Sequence, residues 1–361
     1  MKKIVFELFR PFAMSFGIVL LVAVCMYHSS CQITPEGITL ISDGASCVRI
    51  VDYNVENPFI KVSFSKEVNI SKVFAVEADE TKTSIENFIN SEEKILVDYS
   101  SETDKKNIIF EVKEKTKIGK NYELFASVKD EYGNSLSFTI PFYGENKNIP
   151  KVIISEAGDN YNKAKQTVEY IELFCLTSGN LFGLELYTAS DGKTYKLPCC
   201  EVKKGEYIVV HLRRSDTNGL CVSELENDLN LSKAPDSVSD ARDIWFTSDD
   251  SALSSTAEII LLKNKTQSII EDCVMYCTRD YSEQNEVWKN DELQNIALVC
   301  KEKGLWGKNC MPSDAVYSTE AKSTSYVMRT NCEQLLTENQ KNTRDNWLRI
   351  TKTQSTPGRS N

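Results

Sequence analysis

The sequence predicts an all-β protein built as two Ig-like β-sandwiches in series, the second with inserted loops and a short helix. Three observations predict it. Short segments that alternate apolar and polar side chains recur at intervals of roughly ten to twenty residues, and a period of two is the mark of a half-buried strand. Turn-forming residues stand between these segments, as hairpin-rich sandwiches require. The stretch "GENKNIP" (144–150) then separates one set of segments from another. A chain of 361 residues, 41% of them hydrophobic, has material for two cores.

The amino-terminal segment differs in kind. Lys2, Lys3 and Arg10 precede an apolar run from Pro11 to Met26, the layout of an export signal over residues 1–30. Cys25 follows Val22-Ala23-Val24, whereas Cys31 follows the small pair Ser29-Ser30. The stretch "HSSCQ" resembles the lipobox of bacterial lipoproteins, with His28 where an aliphatic residue is usual. That resemblance makes Cys31 the lipid-attachment site of an exported, membrane-anchored lipoprotein in the cell envelope. An uncleaved membrane anchor and a cleaved soluble product are the alternatives, since the apolar run is at the lower limit of a span. Residues 31–47 lack a sustained period and read as a tether.

The first sandwich is expected over residues 48–145. Its strands are "VRIVDYNV", "FIKVSFSKEV", "KILVDYS", "NIIFEVKE", "NYELFASVKD" and "SLSFTIPFY". Gly133 and Asn134 form the turn in "KDEYGNSLSF". The pieces "IKVSFSKEVN" and "YELFASVKDEYGNSL" resemble a bacterial Ig-like domain of the SbsA type, which implies a spacer module.

The second set runs over residues 151–361. "KVIISEAGD", "VEYIELFCLT", "LFGLELYTA", "KKGEYIVVHL", "DIWFTSD", "AEIILLKN" and "SIIEDCVMY" read as strands, with Ser190-Asp191-Gly192-Lys193 as a hairpin turn. Two polar excursions interrupt them. Residues 213–243 carry a short helix at "SELENDLNL". Residues 278–324 carry Val287, Trp288, Leu293, Ile296, Ala297, Val299 and Cys300 near helical spacing. Together with "SYVMR" and the closing Trp347, Thr356, Pro357, Gly358 and Asn361, these segments resemble a lamin tail domain of the bacterial exported type. The resemblance implies a lamin-tail-like sandwich that binds proteins, envelope components or nucleic acid.

Twelve cysteines fit an oxidising compartment. Setting aside Cys25 and Cys31 leaves Cys47, Cys175, Cys199, Cys200, Cys221, Cys273, Cys277, Cys300, Cys310 and Cys332 as disulfide candidates, with connectivity open. Zinc is disfavoured, because "CVMYC" has three intervening residues and His211 is the one histidine after residue 30. His211 reads as an edge-strand residue with no second histidine to act as a base. The adjacent Cys199-Cys200 pair reads as bridges to separate partners.

Without residues 1–30 the chain keeps 39 basic and 51 acidic residues, a net charge of −12. That balance disfavours nucleic acid. Glu156, Asp159 and Glu172 are candidate Ca²⁺ ligands, set against a plain solvated face of strand 168–174, on which Glu169 and Glu172 point to opposite sides. "SDDS" (248–251) reads as a turn first and a metal loop second. Trp288, Trp306 and Tyr317 are candidate partner-docking aromatics, set against the reading that they cover their own hydrophobic edge. No phosphate loop, HExxH or GxSxG pattern occurs. The function expected is a non-catalytic binding or tethering module without a cofactor, whose partners are a membrane and a protein or envelope component. A metal-dependent hydrolase and a purely structural spacer are the alternatives.

Overall fold

The computed structural model describes residues 41–42, 48–78, 94–113, 116–159, 161–162, 167–214, 218–247, 253–307, 309–317, 326–336, 342–351 and 355–360. The export segment, Cys31, Cys47 and "SDDS" lie outside the described residues. Two compact units divide the chain, Met1–Glu145 and Asn146–Asn361.

In the first unit, two four-stranded sheets enclose one core. One sheet has the order β1 (Ile41–Ser42), β8 (Ser135–Tyr143), β7 (Asn121–Lys129), β4 (Asn69–Glu77). The other has the order β2 (Ile50–Glu56), β3 (Phe59–Phe64), β6 (Asn107–Val112), β5 (Val97–Ser101). Alternate residues of β3 and β6 point inward, placing Ile60, Val62, Ile108 and Phe110 against Leu124, Ala126, Phe138 and Ile140. Phe138 meets Phe64 at 5.8 Å and Phe110 at 6.5 Å between ring centroids, so aromatic contacts tie the sheets. The Asp130 carboxylate accepts from Tyr132 N, Asn134 N and Asn134 Nδ2 and closes the turn at Gly133. Strand β4 was not among the segments expected. A register shift between Ile70 and Lys72 breaks its alternation, and no Gly or Pro marks the preceding turn.

The second unit is also a sandwich. Its larger sheet has the order β16 (Arg242–Trp245), β15 (Tyr207–His211), β10 (Tyr170–Cys175), β9 (Val152–Gly158), β19 (Tyr326–Arg329), β20 (Trp347–Ile350). Facing it is β13 (Lys193–Lys196), β12 (Leu184–Thr188), β17 (Ala257–Asn264), β18 (Ile269–Cys277), with a two-stranded piece, β11 (Gly179–Asn180) and β14 (Glu201–Val202). Ile154, Ile171, Leu173, Ile208 and Val210 pack between the sheets against Leu186, Ile260, Leu262 and Val274. The outer face of the larger sheet is covered as well, by Ala241, Cys332 and the partly buried Val238 and Leu335 over a cluster that includes Tyr170, Phe174 and Val209.

The inserted segments complete these layers. Residues 213–243 lead into β16, which pairs parallel to β15. His211 is therefore inside the sheet and buried, contrary to the edge position expected. Residues 223–231 form turns instead of the expected helix, because the Glu224 carboxylate takes Leu231 N and Ser232 N at 3.0 and 3.2 Å. The second insertion forms α1 (Arg279–Gln284) and α2 (Asp291–Glu302). Asn290 caps α2 by accepting from Glu292 N and Leu293 N, and Leu293, Ala297 and Cys300 form its buried face.

Gly158 sits where β9 meets both flanking strands, opposite Tyr170 and Tyr326. A Cβ there would lie 2.4 Å from the Tyr326 ring and 2.8 Å from the Tyr170 ring. Gly158→Ala should destabilise the second unit by about 1–3 kcal/mol, read as a lower denaturation midpoint. An unchanged midpoint would show that the two rings do not define this crossing.

Candidate functional site

Glu156 on β9 and Glu172 on β10 are register partners, and both are fully buried. A bulge explains their neighbour. The register steps from Glu172↔Glu156 to Leu173↔Ile154, leaving Ser155 as the extra residue. Its hydroxyl donates to Glu172 Oε1 at 2.6 Å.

The carboxyl-terminal segment closes over this pair. Glu156 accepts from the Tyr170 hydroxyl through Oε1, and from Thr356 N and Oγ1 through Oε2 at 3.1 and 3.4 Å. Glu172 Oε2 accepts from Gly358 N at 2.5 Å. The Tyr170 hydroxyl also meets Ser355 Oγ at 2.9 Å. Gly358 has a φ of 81°. A Cβ there would meet Val238 Cγ1 at 2.6 Å, so both conformation and space require glycine. Burial pushes the Glu172 carboxyl up to about 8, partly offset by the bonds from Ser155 and Gly358 and reinforced by Glu156. Burial first, then Glu156, holds the Tyr170 hydroxyl well above its ordinary range.

Asp159 does not join them. It lies just past β9, where its charge acts on Tyr276 and Arg349. The proposed Ca²⁺ ligands are thus separated, and all four oxygens of the Glu pair already accept from the chain. Among the described residues no group of three or more His, Cys, Asp or Glu side chains is arranged to hold a metal ion. The solvated-face reading of strand 168–174 is also corrected, since both faces of β10 are covered. Glu169 is buried and pairs with Arg213 at 2.5 Å, while Arg213 stacks 4.0 Å over Tyr161.

Similar clusters recur through the unit. Glu258 is buried and accepts from Ser190 N, Ser254 N and Ile259 N, and burial pushes it up to about 7. Asp272 binds Arg329 Nη2 at 2.7 Å, Asn342 Nδ2 at 3.1 Å and Ile154 N at 2.8 Å. His211 Nε2 lies 2.8 Å from Asp243 Oδ1, and its ring stacks on Trp245 at 3.6 Å.

The aromatic candidates are placed differently from the docking expectation. Trp288 and Trp306 are buried, donating to Cys310 O at 2.8 Å and Asp314 O at 3.0 Å. They pack the unit's own core. Tyr317 is half-buried under the Arg344 guanidinium, 3.8 Å from its ring centre. The feature sequence reasoning missed is the loop around Glu224, where Leu220, Val222, Leu225 and Leu231 are each 38–42% exposed. Scattered aliphatics in a polar stretch gave no periodic signal.

The cysteines are distributed through the unit. Cys175 and Cys200 act on each other electrostatically on the β10 side. Cys199 is exposed and Cys221 half-buried. Cys332 donates to Arg329 O at 3.6 Å and Cys277 to Pro312 O at 3.5 Å. Cys273, Cys300 and Cys310 gather beneath α2. No disulfide joins two described cysteines.

A family model described as "protein second domain" matches residues 150–349. An "Uncharacterized protein" of Treponema pallidum (strain Nichols) is 26% identical over 200 residues, which are 54% of this chain and 49% of that protein. The chain thus spans about half the length of the curated relative it matches. A crystal structure of a DUF4876 family protein from Bacteroides thetaiotaomicron VPI-5482 covers 77% of this chain and 90% of its own at 10% identity, with a TM-score of 0.30. The expectation of a lamin tail domain preceded by an SbsA-type domain is overturned, since the matching family is a different one. Alternating strands and Gly-bearing hairpins are shared by sandwiches of many families and do not single one out.

Glu172 supplies a pH test. Its folded value of about 8 lies above the ordinary 4.5, so the folded state keeps a proton that the unfolded chain releases. Its contribution is full below about 4.5 and is lost as pH rises towards 8. Stability should fall across that window by an amount on the order of a few kcal/mol. Glu172→Gln should flatten the slope in denaturant titrations, leaving the parts due to Glu123, Glu224 and Glu258, which burial also raises. An unaltered slope would remove Glu172 from the account.

Proposed function

The chain belongs, through residues 150–349, to the family whose model is described as "protein second domain", and from that premise we propose a non-catalytic binding or tethering module of the cell envelope. Lipid on Cys31 holds it at a membrane, and the second unit engages a protein or envelope component. The export arrangement is supported by Lys2, Lys3, Arg10, the apolar run and the "HSSCQ" stretch.

The observation that carries the binding role is the anchored loop of residues 220–233. It has neither helix nor strand, yet it is fixed at several points. The Glu224 carboxylate takes Leu231 N, Ser232 N and Asp243 N. Arg242 Nη1 donates to the carbonyls of Glu224 and Glu226, both at 2.5 Å, while its Nε binds Glu206 at 2.7 Å. Leu220 O accepts from Lys233 N at 3.0 Å. A loop held this firmly loses little conformational entropy on association, and its four exposed aliphatics are the surface it offers.

A metal-dependent hydrolase working through Glu156, Asp159 and Glu172 has less in its favour, because the Glu oxygens are taken by the carboxyl-terminal segment. The net charge of −12 after residue 30 counts against nucleic acid as the partner.

Two measurements follow. Cys31→Ser should move the protein from the membrane fraction to the soluble fraction of producing cells; retention would overturn the lipid anchor. Replacing Leu220, Val222, Leu225 and Leu231 with Ser should abolish a defined cross-linked adduct formed on intact cells, while the β-sheet circular dichroism is unchanged. An adduct indifferent to those changes would move the contact surface elsewhere. Complete absence of an adduct with the unaltered chain would favour the spacer.

A further inference from the structure

Cys273 and Cys300 stand apart from the carboxylate network. Cys273 lies on β18 and Cys300 in the last turns of α2, and neither is exposed. Both side chains belong to one buried cluster, and Cys300 acts on the Cys273 thiol electrostatically. The surrounding backbone converges on the same place. Cys273 Sγ donates to Leu305 O at 3.7 Å, and Leu305 N donates to Cys300 O at 2.9 Å. Leu293, Ala297 and Cys300 form one face of α2, so this contact lies where the inserted helix seats on the sheet.

We propose that Cys273 and Cys300 are joined by a disulfide that staples α2 to β18. The pairing rests on the export reading above, because the bond requires an oxidising compartment. It gives the second insertion a covalent fixing that its helix length alone does not supply, since isolated helices of about twelve residues are marginal.

The electron acceptor is a protein disulfide of the oxidoreductase class. The Cys300 thiolate attacks one donor sulfur, the donor S–S bond breaks, and a mixed disulfide forms as one donor thiolate leaves. The Cys273 thiolate then attacks the Cys300 sulfur and expels the second donor thiolate. Cys273 and Cys300 lose two electrons and two protons, and the donor becomes a dithiol. Both thiols are buried in the folded unit, so the exchange belongs to folding, before α2 closes over β18. In the closed form the bond to Cys300 and then burial hold the Cys273 thiol well above its ordinary range, which leaves it unreactive. Cys310 is the competitor, since Cys300 also acts on it electrostatically.

The test is a linkage map of the full chain, refolded in detergent with reduced and oxidised glutathione, then alkylated while denatured. Trypsin separates the peptides carrying Cys273, Cys300 and Cys310, and cleavage after Tyr276 separates Cys273 from Cys277. A linked Cys273–Cys300 peptide is expected, together with a thermal midpoint roughly 5–10 °C above that of the fully reduced, refolded chain. Recovery of both cysteines alkylated, or of either linked to Cys310 or another cysteine, overturns the pairing. The same map on protein recovered from cell membranes separates this result from the export reading. A link present after refolding but absent from that protein sustains the pairing and overturns export to an oxidising compartment.

Discussion

Carboxylates buried among backbone N–H groups hold the second unit together. Glu156, Glu172, Glu224, Glu258 and Asp272 are all inside it, and each accepts from at least one main-chain amide. A buried N–H without an acceptor costs about 1–3 kcal/mol, and a segment that leaves a sheet loses the ladder that would have supplied one. Here acidic side chains take the place of that ladder. The bulge at Ser155, the turn after Thr188, the loop of residues 220–233 and the segment 355–358 are all anchored in this way.

This arrangement limits how the groups ionise. A carboxylate taken from water is costly unless hydrogen bonds stabilise its charge, and burial is the largest influence on both Glu172 and Glu258. Glu172, Glu224 and Glu258, which anchor irregular segments, therefore hold protons more tightly than in water. Their role is compatible with framework, and their closed surroundings leave no oxygen of the Glu156–Glu172 pair directed at solvent.

Much of the strand pattern was legible, because β3 and β6 alternate cleanly between core and surface, and β7 and β8 depart from alternation only at the buried Phe125 and Thr139. Strand β4 was not, since its register shift breaks the period. The odd separation of Glu169 and Glu172 predicted a solvated face, and that inference assumes a sheet covered on one side. The six-stranded sheet is covered on both, by the opposing sheet and by Ala241, Cys332, Val238 and Leu335. Glu156 and Glu172 were recognisable as neighbours from their adjacent strands. Their closing partner was not, because Gly358 lies 186 residues from Glu172 in sequence.

The two insertions illustrate why aromatic content misled and why scattered aliphatic content gave no signal. Trp288 and Trp306 each need an apolar enclosure and one acceptor for the indole N–H, and the insertion supplies both through its own carbonyls at Cys310 and Asp314. Once those rings are enclosed, the segment has spent its largest apolar surfaces on seating α2. The loop of residues 220–233 has no ring of that size. Its polar anchors run through Glu224 and Arg242, and Leu220, Val222, Leu225 and Leu231 are left partly exposed. Of the two insertions, the one fixed by polar side chains leaves four aliphatics of one short loop partly exposed, and the one fixed by its apolar side chains leaves Val287 and Leu298.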